Sequence, residues 1–309
     1  MTEKAIINTL NAISDSNILI IGDVILDAYF HGKVDRISPE APVSILDVEK
    51  KDYRLGGAAN VALNLKALGA SPILCTVIGS DSSGDKIIDL LNAEGLDASG
   101  VIKSSSRITS LKTRLVSSNR QLMRGGEERV EALNREDEQR LSDLIARMIA
   151  SSKPDAIIFE DYDKGVISLS IISKTIELAR VQDIPVTVDP KKKNFLSYSG
   201  ATLFKPNLKE LREGINNPSI EPSIESLRKA YEFLNDVMPV EMALFTLSSH
   251  GMYVTNGTSD ALIPTEANQI ADVSGAGDTV IAVATCALIA GLSLEEIARF
   301  ANTAAGLVC

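Results

Sequence analysis

Cysteine, histidine, basic charge and long apolar runs are all scarce in this chain, and each shortage removes a class of function. Three cysteines (Cys75, Cys286, Cys309) and two histidines in 309 residues leave no zinc-ligand spacing and no disulfide framework. Cys75 falls in a strand-like run and Cys286 in an apolar helical stretch, so both are expected in the core, and the chain fits a reducing, cytoplasmic compartment. Lys and Arg number 31 against 41 Asp and Glu, a formal charge of −10. That balance speaks against a nucleic-acid or membrane-surface partner, and any anionic substrate then needs a locally positive pocket. The longest apolar run, residues 280–290, is too short to span a bilayer and is expected as a buried helix. Residues 1–16 are polar and amphipathic, without a signal-peptide pattern.

What is present is core. Hydrophobic residues make up 45% and charged residues 23%, enough for a sizeable interior and too apolar for disorder. Short apolar runs at 17–22, 72–78, 156–159, 185–188, 202–204 and 243–247 alternate with helix-period segments at 58–68, 84–93, 137–151, 168–179, 224–237 and 275–290. This is the pattern of a mostly parallel sheet covered by helices. Ligands of such sheets sit beyond the carboxyl ends of the strands, which draws attention to Asp23, Asp27, Asp161, Asp189 and Asn207. Segments 29–53 and 108–123 are β-branched and alternating with no crossover helix between them. They predict antiparallel strands outside the main sheet, a lid able to exclude water, although an ordinary surface hairpin has the same pattern.

Near the end of the chain, Asp272-Val-Ser-Gly-Ala-Gly-Asp278 runs from a polar turn into the apolar helix. Ser274 is a good N-cap, and Gly275, Ala276 and Gly277 leave the first backbone N–H groups open to an anion. Asp278, one turn in, can take a proton from a hydroxyl that attacks a phosphate held there. A capped helix with a dipole-matched aspartate reads the same way when taken alone. Leu55-Gly-Gly-Ala-Ala-Asn60 opens another helix: Gly56 and Gly57 permit close backbone approach, and Asn60 can donate to and accept from a hydroxylated ligand. Asn207-Leu-Lys-Glu210 puts two polar side chains on one helix face.

These two Gly-rich segments, in this order, resemble the two signatures of the ribokinase-like (PfkB) carbohydrate kinases, over essentially the whole chain. The resemblance implies a single domain, residues 1–309, built as a three-layer α-β-α sandwich with a discontinuous β lid from about 29–55 and 105–125. It implies Asp278 as base, the 275–277 N–H groups as anion cradle, Mg·ATP as phosphoryl donor, and Asp27, better aligned than Asp23, on the sugar. Asn207 and Glu210 match the family's N-x-x-E motif, with Glu210 orienting waters on Mg²⁺ and Asp189 assisting the metal region. Thr246-Leu-Ser-Ser-His-Gly251 takes the place of a T-x-G-x-x-G motif, with Ser248 where glycine is usual, and Asn302 borders the adenine pocket. His250 reads as an exposed loop residue.

Arg36-Ile-Ser-Pro-Glu-Ala-Pro-Val43 on the lid resembles the heptose 7-phosphate kinase branch of the family. So do Lys112-Thr-Arg114, Asn119, Gln121, Arg124 and Asp161-Tyr-Asp-Lys-Gly165. Cations and amides converging there suit a sugar that already carries a phosphate. The branch usually has an acidic residue two positions after Arg124; Gly125-Gly126 intervenes here, with Glu127 or Glu128 as substitutes. Family members also continue beyond the position of Cys309, in a stretch expected to complete the nucleotide side. The resulting expectation is an ATP-dependent kinase acting on O1 of D-glycero-D-manno-heptose 7-phosphate, homodimeric through its lid. The alternatives are a relative acting on another sugar, sugar phosphate or nucleoside, and a silent sugar-phosphate binder.

Overall fold

The computed structural model describes residues 11, 13–14, 16–118, 120–265 and 275–308. Strand β1 (Asn17–Gly22) starts the main sheet, and β2 (Val24–Ile37) and β3 (Ser44–Gly57) follow as a long hairpin. After these come α1 (Ala58–Ala67), β4 (Ser71–Gly79), α2 (Ser82–Ala93) and β5 (Val101–Ser104), then a second hairpin of β6 (Ser110–Ser117) and β7 (Arg120–Glu127). The chain continues through α3 (Arg135–Ser152), β8 (Ala156–Glu160), α4 (Leu169–Val181), β9 (Val186–Asp189), β10 (Leu203–Phe204), α5 (Leu208–Gly214) and α6 (Ile224–Val237). It closes with β11 (Met242–Thr246), β12 (Met252–Thr255), β13 (Asp260–Ile263), α7 (Ala276–Ile289) and α8 (Leu294–Val308).

The strands form a sheet in the order β13-β12-β11-β10-β9-β8-β1-β4-β5. It is parallel from β5 to β11, with an antiparallel margin of β12 and β13. Strand β1 shows why helices cover both faces. Ile18 and Ile20 pack on one side with Ala62, Leu65 and Ile281, while Leu19 and Ile21 pack on the other with Leu141, Ile145 and Ile171. A strand apolar on both faces needs cover on both, which is the three-layer arrangement the run 17–22 implied. Each fully buried Leu or Ile contributes about 1.5–3 kcal/mol by leaving water. Strands β5, β12 and β13 were not among the expected elements; each is four residues long.

The lid is a separate four-stranded sheet, β3-β2-β6-β7. Each hairpin is antiparallel, but β2 and β6 pair in parallel, from Ile25↔Ser110 to His31↔Val116. The expectation of purely antiparallel strands needs that correction. Both β2 and β6 set out from the carboxyl end of the main sheet, so as neighbours they run the same way. Every residue of β7 is exposed, and the lid buries little beyond its root.

Candidate active site

Asp278 lies in the first turn of α7 and is only 3% exposed. Its N-terminal neighbour Gly275 serves as N-cap with φ 83°, a left-handed conformation that favours glycine. A Cβ on Gly277 would stand 3.6 Å from Asp189 Oδ2 and 3.7 Å from Lys205 Nζ, so this turn rides directly over that ion pair. The carboxylate of Asp278 is held at both oxygens. Asn60 Nδ2 donates to Oδ2 at 2.7 Å, and the Tyr162 hydroxyl donates to Oδ1 at 2.7 Å. The two Gly-rich segments thus meet at one carboxylate, and Asn60, expected on a ligand hydroxyl, donates an amide N–H to Asp278. Burial pushes the Asp278 carboxyl above the usual aspartate range despite these two donors. Ser274 and Asp272 lie outside the described residues.

Beneath the turn is a buried charge cluster. Lys205 Nζ reaches Asp189 Oδ2 at 2.8 Å, and Lys191 pairs with Glu210 and stands 4.0 Å from Asp189. Burial alone pulls the Lys205 ammonium down, yet Asp189, Glu210 and Glu160 outweigh it and hold the group above its ordinary value. Glu160 ends β8 opposite Asp189 and is fully buried, and neither of its carboxyl oxygens has a hydrogen-bond partner. Burial, then Asp189 and Asp278, push its pKa well up, since no donor offsets the water a charge there would lose. Sequence reasoning missed Glu160 and Lys205, and met Tyr162 only inside the Asp161–Gly165 motif, without a role. All three end strands or follow them closely, a signal that could have found them.

A cavity of 680 Å³ opens beside the cradle, bordered by Lys205, Asn207, Thr246, Gly251 and Asn302 as well as Gly275–Asp278. Asn207 and Glu210 form a reciprocal capping box at α5: Asn207 Oδ1 accepts from Glu210 N at 2.9 Å, and Glu210 Oε2 accepts from Asn207 N at 2.8 Å. Their spacing therefore serves the helix start, and any role toward phosphate or metal is additional to it. Ser248 adopts φ 54°, the left-handed backbone for which glycine is the usual residue. Gly251, at φ 86°, leaves no room for a Cβ against the Ile263 carbonyl. Asn302 donates to the Pro264 carbonyl at 2.8 Å.

Near the root of the lid the expected aspartates divide. Asp27 is paired with Arg114 across the β2–β6 junction, and a Cβ on Gly56 would collide with the Asp27 carboxylate. Gly57, at φ 60°, lies against the Asp23 carbonyl. Asp23 itself is a correction. It is buried and accepts from the backbone N–H groups of Tyr162, Lys164 and Val166 at 2.9–3.1 Å, because the tight turn after β8 leaves donors that need an internal acceptor. Asp161 is a second correction. It is buried behind the same turn, accepts from Asn194 and Tyr198, and burial raises its pKa to about 6.

Lys112, Arg114 and Arg124 gather at the lid root, with Arg114 opposite Arg124 and Lys112 Nζ 5.0 Å from the Tyr162 ring centre. Glu128 joins them, 2.6 Å from Lys164 Nζ and 4.0 Å from Arg124, so Glu128 rather than Glu127 supplies the acid near Arg124. Gln121 pairs with Val116, next to the β6–β7 turn. Arg36 is also near the tip, 3.2 Å from Asp47 and exposed. Asn119 lies outside the described residues.

The model of the pfkB family carbohydrate kinases matches residues 15–309. The chain belongs to that family. It is 41% identical over 308 residues to the bifunctional protein HldE of Pelobacter propionicus, covering 99% of this chain and 62% of the relative. It is also 41% identical over 291 residues to bifunctional protein HldE of Helicobacter pylori strain J99, covering 94% of this chain and 62% of that relative. The chain thus spans about three fifths of the length of these curated relatives. Its fold matches Escherichia coli phosphofructokinase-2 in complex with fructose-6-phosphate, with TM-score 0.74 at 20% identity over 95% and 93% of the two chains. Arabidopsis thaliana ribokinase complexed with ribose and ATP matches with TM-score 0.69 at 18% identity over 95% and 92%. The family's ribokinase-like α/β fold and kinase chemistry therefore hold for this chain. Among the described residues no helix is long and apolar enough to cross a membrane, and Cys75 and Cys286 are buried free thiols whose pKa burial raises to about 12.

Proposed function

We propose that this pfkB-family kinase transfers the γ-phosphoryl group of ATP to the anomeric hydroxyl of D-glycero-D-manno-heptose 7-phosphate, giving the 1,7-bisphosphate, a precursor of lipopolysaccharide heptose. The observation that carries this reading is a buried carboxylate and an open helix start on one turn, faced by a basic lid root. Asp278 accepts the proton of the attacking hydroxyl. The N–H groups at the start of α7 meet the charge that develops on the transferring group. Lys112, Arg114, Arg124 and Lys164 supply the positive pocket that a chain of net charge −10 needs for the 7-phosphate. Asp27, held by Arg114, is the group for the sugar hydroxyls. ATP takes the cavity bordered by Asn207, Thr246, Ser248, Gly251 and Asn302.

The fit to Mg²⁺ rests on Asp189, whose buried Oδ1 has no hydrogen-bond partner and lies 4.0 Å from Lys191, and on Glu210, whose carboxylate, though engaged by Lys191 and the Asn207 N–H, keeps further lone pairs. Both would hold the ion through its water shell, and when bound it would neutralise charge on the nucleotide phosphates. The lid strands have exposed edges that a second copy could cover, so the protein is proposed to be a cytoplasmic homodimer paired through the lid. Light scattering at micromolar concentration checks this, and a lone monomer contradicts it.

ADP release with Mg·ATP tests the reaction against a panel of heptose 7-phosphate, fructose 6-phosphate, ribose and adenosine. Turnover confined to the heptose phosphate is the expected result. Turnover with another acceptor would keep the kinase and remove the lid-based substrate assignment.

A further inference from the structure

The oxygen of Asp278 that would receive the proton of an attacking hydroxyl already holds a hydroxyl. It is that of Tyr162, at 2.7 Å from Oδ1, while Asn60 occupies Oδ2. We propose that the Tyr162 hydroxyl stands in for the acceptor hydroxyl when no sugar is bound, keeps water off the base, and is displaced by the sugar. The inference rests on the kinase reading above and on an acceptor that carries a negative charge, but not on which sugar phosphate is used.

Three features support a side chain that is anchored yet able to yield. The Tyr162 backbone is fixed, since its N–H donates to Asp23 Oδ2 at 2.9 Å. Its ring is approached by two cations from different parts of the molecule. Lys112 Nζ, from the lid strand β6, is 5.0 Å from the ring centre, and Lys191 Nζ, from the end of β9, is 5.1 Å away. An anionic sugar that draws Lys112 toward itself weakens one of these contacts. Burial, then the charges of Asp278 and Glu160, keep the phenol protonated, so it remains a donor to the carboxylate. The reaction to be suppressed is simple. A water on Asp278 would give its proton to the carboxylate as its oxygen bonds to the γ-phosphorus, and the bond from that phosphorus to the bridging oxygen would break to release ADP and phosphate.

The test is ADP release from Mg·ATP by Tyr162→Phe with and without sugar, beside the unmodified protein. Removing one hydrogen bond to a charged group is expected to raise the sugar-independent rate about tenfold or more, while sugar-dependent turnover falls. Adding Asp278→Asn to Tyr162→Phe should abolish that excess. A Tyr162 that merely orients the base would lower both rates together, and this result, or an excess that survives Asp278→Asn, overturns the proposal. Melting curves report folding, and Tyr162→Met, which also removes the hydroxyl, is read in the same assay if the Phe variant does not fold. The outcomes separate from those of the function proposal: silence toward every sugar with raised hydrolysis in Tyr162→Phe would sink the heptose reading and leave the guard in place.

Discussion

The two halves of the site are built on opposite principles. On the cradle side, Glu160, Asp189, Lys205 and Asp278 are each at most 3% exposed, and their positions are set by strand ends and the start of α7. On the lid side, Lys33, Glu49, Arg36 and Asp47 are paired but more than half exposed, and β7 buries nothing. Charges removed from water must be matched or neutralised, so the cradle can tolerate few substitutions. Charges left in water cost little and contribute little to stability, so the lid tip can change at little cost, while Arg114 and Asp27 at its root are only 14% and 19% exposed. The difference teaches that tolerance to substitution rises from the buried turn, through the lid root, to the lid tip.

The largest effect should come from the base itself. Asp278→Asn is expected to lower turnover by about two to four decades while ATP binding persists, the range of a lost general base; titration of a fluorescent nucleotide beside the rate assay checks both. Lys205→Met should destabilise the fold by about 3–5 kcal/mol, because Asp189 is then buried without its cation. Denaturant unfolding reads this, and a loss no larger than that for a surface lysine would erase the distinction between the two halves.

The sign of the pH response sharpens the same comparison. Asp161, behind the cradle, has its pKa raised from 3.8 to about 6, so the folded state binds that proton more tightly than the unfolded chain. Its stabilising contribution is complete below pH 3.8 and is lost as pH rises through 6, a change of about 3 kcal/mol in unfolding free energy. The hydrogen bond from Lys164 holds the lid carboxylate Glu128 below its ordinary range, so its contribution is present at neutral pH and is lost in acid. Unfolding curves at pH 4 and pH 7, repeated with Asp161→Asn, separate the two: the variant should lose the Asp161 part of the dependence.

At the lid root, Arg124→Ala, which leaves the Arg114–Asp27 pair in place, is expected to raise KM for a phosphorylated sugar about 10- to 100-fold, as for a lost charge-assisted hydrogen bond. The unphosphorylated analogue should change far less, and equal effects on both would remove the phosphate clamp. The smallest effect should be at Ser248, whose φ of 54° is strained for a side-chain residue. Ser248→Gly is expected to stabilise the protein by about 0.5–1 kcal/mol, measured as a small rise in the unfolding midpoint.

The layers of the fold were legible in the sequence because β1, β4 and β8 are apolar on both faces, which only a covered parallel sheet accommodates. The helix start with Asp278 in its first turn was legible because Gly275, Ala276 and Gly277 run straight into an apolar stretch, although the same pattern taken alone also fits an ordinary capped helix. Asp23 and Asp161 misled because a carboxylate at a strand end satisfies a ligand or a turn equally well, and only the path of residues 162–166 decides which. Glu160, Lys205 and Tyr162 were missed because their neighbours in space, Asp189 and Asp278, are far away in the chain. The parallel pairing of β2 with β6 depends on where both strands leave the sheet, a relation no local pattern encodes.

The measurement that bears most directly on the central claim is phosphorus NMR of the product formed from Mg·ATP and heptose 7-phosphate, with Asp278→Asn as the control. The account predicts a second sugar phosphate signal, coupled to the anomeric proton, that grows with the unmodified protein and is nearly absent with the variant. A phosphate on any other oxygen, or equal product from the variant, would contradict it.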